Sequence, residues 1–219
     1  MTPERRVSPW WMLLPAILFV LNFIGGLAEG GGSRSNAVYN ISTMVASGAI
    51  EAALAGYALL AARLSGGPIA ETLAIRRVPL RRAAAIGAAG LAVILASELI
   101  LDPIFNGGAQ QGIEPTHSPA TAHEWAAVVV AGVMLVLVAP AAEELIFRGL
   151  GFAALGSVAV PVTSLLFAVA HGLPSLLVEV AVAGLVLAEI RRRTASVLPG
   201  MAVHMAFNAL ALVVAFVTV

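Results

Sequence analysis

Among its 219 residues the chain has no cysteine and no lysine. Without a thiol there is no disulfide, no thiolate nucleophile and no zinc–thiolate site. Without a lysine amine there is no Schiff-base chemistry and no Ser–Lys pair. Every one of the 12 cationic side chains is Arg. Charge is scarce overall, at 11% of residues against about 25% in soluble domains. The formal net charge is +0, so nothing in the sequence points to a nucleic-acid partner. Ser164 and Ser175 have no Gly-x-Ser-x-Gly context and are poor candidates for a serine nucleophile. The glycines near Gly30 lack the strand–helix setting of a phosphate loop.

What the chain has in abundance is apolar residues, 60% of the total. Runs of the roughly 17–25 residues needed to cross a bilayer recur along it. Spans are predicted over 10–27, 37–62, 83–101, 125–156, 161–173, 175–190 and 196–219. The expected fold is all-α, a polytopic transmembrane helical bundle of about seven spans, with the lipid bilayer as its first partner. A Gly/Ser-rich stretch, 30–35, separates the first two spans. A loop rich in Gly, Gln, Pro and His, 102–124, separates the third and fourth. No internal repeat is visible. The chain divides at that loop: residues 1–121 hold three helices and the loop, and residues 122–219 hold four helices and nearly all the unusual residues.

Arginine placement sets an orientation. Arg5 and Arg6 precede span one. Arg63, Arg76, Arg77, Arg81 and Arg82 lie between spans two and three, and Arg191, Arg192 and Arg193 between six and seven. With seven spans these segments share one side, and the positive-inside rule makes it cytoplasmic. The N-terminus is then cytoplasmic in a multi-pass plasma-membrane protein, with Arg34 as the one dissenter. A Gly26-Leu27-Ala28 cleavage site is conceivable after span one, but its apolar stretch is longer than most signal-peptide cores, which favours an uncleaved helix. Pro15 predicts a kink in it.

Six polar residues stand inside the apolar spans of the second half: Glu143, Glu144, Arg148, His171, His204 and Asn208. An ionisable group in hydrocarbon costs about 2.5–3.5 kcal/mol on insertion scales, so such residues are expected to be used. Glu144 and Arg148 are four apart, share a helix face and can pair. Glu143 points about 100° away and is left for another task. His204 and Asn208 share a face, as do Phe167 and His171. Counting from the cytoplasmic ends at 1.5 Å per residue puts Glu143, His171, His204 and Asn208 roughly 15–21 Å deep. Three helices thus bring polar groups to one level, as a water-accessible internal pocket requires. Interhelical clamping is the lesser reading for Arg148, expected instead as a supporting partner of the site, and for Glu144 it competes evenly with a role in the site. One free carboxylate with two imidazoles is instead the inventory of water activation or metal ligation.

The motifs Glu143-Glu144-Leu-Ile-Phe-Arg148, Leu166-Phe167-Ala-Val-Ala-His171 and Leu198-Pro199-Gly-Met-Ala-Val-His204-Met-Ala-Phe-Asn208 resemble, in order and spacing, those of the CAAX-protease and bacteriocin-processing (CPBP, or Abi) family. The resemblance covers roughly residues 122–215; the first three spans carry no family motif. It implies an intramembrane endopeptidase acting on a peptide or membrane-protein substrate. By that resemblance Glu143 and His171 activate a water, His204 and Asn208 stabilise the oxyanion, and Glu144, Arg148 and Phe167 support them. The physics agrees in kind: fixed donors in a pocket of low dielectric gain most where an oxyanion develops.

No cofactor is expected. Zinc is the alternative, held by Glu143, His171 and His204 with an open position; that choice would leave Glu144 as base, which its pairing with Arg148 disfavours. Two other functions stay open, a non-proteolytic scaffold or immunity protein of the same family and a proton-coupled transporter. The Arg-only, Ala-, Gly- and Val-rich composition has a bacterial character. Among weaker candidates, His123-Glu124 begins like a metalloprotease helix, but Ala127 stands where the second His belongs. His117, His123, Glu114 and Glu124 read as a solvated loop. Glu98 and Asp102 read as interfacial. Glu51 and Glu179 lie inside spans, and Glu179 is a candidate lining residue of the pocket.

Overall fold

The computed structural model describes residues 7–28, 36–105 and 115–217. Arg5, Arg6, Arg34, Glu114 and the Gly/Ser stretch fall outside them. Seven long helices follow in order. They are α1 (Leu13–Ala28, entered through a 3-10 turn at Pro9–Met12), α2 (Ile41–Leu64), α3 (Leu80–Phe105), α4 (122–155), α5 (Ala159–Ala170), α6 (Leu177–Thr194) and α7 (Leu198–Val217). No strand occurs among the described residues, and the all-α expectation holds.

Local chemistry explains where helices begin and end. Asn40 caps α2 by accepting from the Thr43 amide at 3.0 Å. Thr121 and Glu124 form a capping box at the start of α4. After its arginine run, α6 stops at Ala195 in the left-handed region (φ 55°). Five segments are long and apolar enough to cross a membrane: Pro9–Ala28, Ile41–Leu64, Leu80–Phe105, Ala122–Ala170 and Leu198–Val217. The seven predicted spans therefore correspond to seven helices of unequal kind. With 12 residues, α5 reaches about 18 Å, short of the ~30 Å hydrocarbon core. Two glutamates and three arginines keep α6 off the set. Pro15 sits in the first turn of α1, and the Trp11 carbonyl it leaves without a partner accepts from the Tyr57 hydroxyl at 2.8 Å.

α4 departs most from expectation. Its text reads as a plain α-helix, yet Val133–Val138 and Glu144–Leu150 are wound as π-helix, with i→i+5 bonds. Such wide turns cluster at functional positions.

The aromatic rings of Phe19, Phe147 and Phe167 form the centre of the core, 5.2 and 5.3 Å apart in succession. Ile146, Leu150 and Leu187 close around them. A smaller cluster of Val38, Met44 and Ala131 joins the start of α2 to the middle of α4 and, through Phe216, to the end of α7. Large apolar side chains stay outside, including Leu99 at 80% and Val217 at 79% exposure. A soluble monomer does not tolerate an apolar surface of this extent; a bilayer requires it. The Arg-rich loops meet at one end of the bundle. Ser196 donates to the Arg76 carbonyl at 2.6 Å, Arg82 to the Arg193 carbonyl at 2.7 Å, and the Val197 amide to the Ala74 carbonyl at 3.1 Å.

Candidate active site

The site grows out of α4. Glu143 ends the ordinary helical stretch Ala139–Glu143, and Glu144 opens the second π stretch. Glu144 and Arg148 are fully buried, with Glu144 Oε1 3.2 Å from Arg148 Nη1. That ion pair lacks hydrogen-bond alignment, and the guanidinium has other anchors. Its Nη2 donates to the Gly184 carbonyl at 3.0 Å, and its Cζ stands 4.4 Å from the centre of the Phe167 ring. A desolvated cation–π contact of this kind is worth about 2 kcal/mol. Arg191, expected only as a topology marker, donates from Nε to the Arg148 carbonyl at 3.0 Å.

His204 on α7 faces both carboxylates. Its Nε2 lies 3.5 Å from Glu143 Oε2 and its Nδ1 3.5 Å from Glu144 Oε1. An imidazolium would donate toward both at once. Glu143, Glu144, Arg148 and a protonated His204 then balance in charge, the condition under which buried ions are tolerated. α7 reaches this close because residue 200 is glycine: a Cβ there would lie 2.9 Å from Glu144 Oε2. The Glu143 side chain is 16% exposed, against 0% for Glu144. The carboxylate left unpaired by Arg148 is thus the one that water can reach.

His171 stands at the end of α5. Its Nδ1 lies 2.8 Å from the Phe167 carbonyl, so Nδ1 carries the proton and Nε2 keeps its lone pair. Phe167 touches both imidazoles, with ring centres 4.8 Å from His171 and 5.7 Å from His204. Phe167 thus packs against both histidines and against the Arg148 guanidinium.

Asn208 donates from Nδ2 to the Leu135 carbonyl at 2.8 Å. That carbonyl is an orphan for a readable reason. In the i→i+5 register its partner would be residue 140, a proline with no N–H. One Asn208 hydrogen is thereby committed to α4 and the amide is oriented; the second hydrogen remains for another acceptor.

The other candidates go elsewhere. Glu179 does not line this site: it is buried and hydrogen-bonded to Glu98. Glu98, expected at the interface, is half-buried by that bond across α3 and α6. His117 pairs with Glu124 at 2.9 Å, half in solvent, as a solvated loop should. Sequence reasoning assigned no role to Glu51 on α2, whose Oε2 is buried without a hydrogen-bond partner within electrostatic reach of Glu143. It passed over Asn22 altogether. The signal for both was present, a polar residue in an apolar run.

The zinc alternative draws on Glu143, His171 and His204. Of its three proposed ligands, Glu143 and His204 approach each other at 3.5 Å. Among the described residues no three His, Asp or Glu gather as a metal site.

No curated protein and no solved structure matches the chain. A family model does: residues 125–210, a range that contains the whole constellation, match the type II CAAX prenyl endopeptidase Rce1-like family, in agreement with the resemblance to the CAAX-protease and bacteriocin-processing family read from the three motifs.

Proposed function

We propose that the protein is an intramembrane endopeptidase that hydrolyses peptide bonds with a water activated by Glu143 and His171. The supporting observation is the position of His204 between Glu143 and Glu144, with His171 against the same Phe167 ring. In this reading Glu143 takes a proton from water while His171 Nε2 accepts the other hydrogen. The water oxygen bonds to the scissile carbonyl carbon, and the carbonyl oxygen becomes an oxyanion. His204 and the second Asn208 hydrogen stabilise it. When the C–N bond breaks, the leaving amine takes its proton from Glu143. Glu144 and Arg148 fix the acid–base geometry from below. No step is routed through a metal. The substrate is a peptide or membrane-anchored protein that reaches the site within the bilayer. The chain sits in the plasma membrane with its Arg-rich end cytoplasmic.

The test is cleavage of a membrane-anchored peptide reporter by purified protein in liposomes. Wild-type protein should cleave, and Glu143→Gln should lose about 10²–10⁴-fold in turnover while unfolding at the wild-type temperature. Activity should survive chelation. Wild-type-like turnover by Glu143→Gln overturns the assignment. Loss on chelation with recovery on added zinc makes the enzyme a metalloprotease. Absence of any cleavage leaves the scaffold and carrier readings in possession.

A further inference from the structure

α1 lies outside the family match and carries no motif, yet it touches the turn that presents His171. Its text from Leu13 to Ala28 contains one polar side chain, Asn22. An amide in the middle of an apolar helix needs a partner, because an unpaired polar group in hydrocarbon costs several kcal/mol. Asn22 Nδ2 donates to the Ala170 carbonyl at 2.9 Å. Ala170 is the last residue of α5, where carbonyls have no intrahelical partner. The next residue is His171.

The turn is fitted to that amide. Gly172 has φ +68°, and a Cβ on it would sit 2.4 Å from Asn22 Nδ2. Gly26, one helical turn beyond Asn22, lies so close to the Gly172 carbonyl that a Cβ there would overlap it. Two glycines therefore bring the α1 backbone and the His171 turn together, and Asn22 bonds across the junction. The His171 ring is held from the other side by its own Nδ1 bond to Phe167. A side chain at the frayed end of a short helix, with a single bond on its ring, requires a fixed backbone to keep Nε2 aimed.

We infer that Asn22 is a positioning residue for His171: it holds the Ala170–Gly172 turn so that the His171 Nε2 lone pair faces the water that Glu143 deprotonates. The inference rests on the proposed role of His171. It makes α1 part of the hydrolytic unit and not merely a neighbouring span.

The experiment uses the full chain in liposomes with the cleavable reporter, and Glu143→Gln in parallel. Asn22→Leu matches the volume and removes the bond. Its kcat should fall about 10- to 100-fold, the cost of a misplacement near 1 Å, with KM within twofold and the unfolding midpoint kept. Asn22→Gln, which retains the amide, should recover part of the loss. If Asn22→Leu does not fold, Asn22→Ala carries the same kcat test. An Asn22 variant that is folded and turns over like wild type, while Glu143→Gln is dead, overturns the inference and leaves the protease reading standing. A loss of kcat matched by an equal loss of folded protein also overturns it, since a purely structural role predicts that. Activity in Glu143→Gln instead sinks the reading beneath both.

Discussion

Two pairs of neighbouring carboxyl groups within the helices are treated in opposite ways. Glu143 and Glu144 meet nitrogen groups: Arg148 at 3.2 Å and the two nitrogens of His204 at 3.5 Å each. Glu98 and Glu179 meet each other through a hydrogen bond, which requires a proton between them. The first pair has one partly exposed carboxylate, that of Glu143. The second pair ties α3 to α6. Burial alone therefore does not mark the reactive carboxylate; the partners do.

The largest effect should come from removing the cation of the first pair. Arg148→Ala leaves Glu144 buried and uncompensated, and should cost about 3–5 kcal/mol of stability, read as a lower unfolding midpoint in detergent. An unchanged midpoint would mean that Glu144 is neutral and that the two pairs are alike after all. Next comes Asn208→Ala. It removes an amide oriented by the Leu135 carbonyl and should reduce turnover about 10²–10³-fold, the range for a lost oxyanion donor, with little change in KM for the reporter. A KM effect alone would assign Asn208 to substrate binding. The smallest effect belongs to the second pair. Glu98→Gln keeps a hydrogen-bond donor toward Glu179 and should change stability by less than about 1 kcal/mol, with turnover as in wild type. A clear gain in stability would show instead that both carboxyls are ionised and repel each other.

The sequence made the helices legible because lipid exposure leaves long apolar runs, and the arginines marked the end of the bundle where their loops are tied together. It made Glu143, Glu144, Arg148, His171, His204 and Asn208 legible as a group because each is expensive where it stands. Helical spacing anticipated the Glu144–Arg148 pair. It did not anticipate that His204 bridges both carboxylates, since that depends on how closely α7 approaches α4 over Gly200. Glu179 was misread for a related reason: depth along α6 is visible in sequence, but the direction it faces is settled by Glu98 on a helix about 80 residues away. Nor does Pro15 alone show that a tyrosine from α2 supplies the donor its ring removes. The π stretches of α4 left no periodicity to read, because one surplus residue per turn blurs the apolar stripe without interrupting it.

Those surplus residues bear on which changes in chain length α4 can absorb. An i→i+5 turn contains one residue more than an i→i+4 turn, so deleting Leu137 should close Val133–Val138 to ordinary size while the faces on either side stay aligned. Leu135 would then stand four positions before the same proline, still without an N–H partner, and Asn208 would keep its acceptor. The same deletion within Ala122–Gly132 would instead turn the two parts of the helix about 100° against each other, setting the capped outer turn out of register with Val130 and Ala131, which belong to the cluster with Val38 and Tyr39. Single-residue length variation should accordingly be tolerated near Glu143 and forbidden between Ala122 and Gly132.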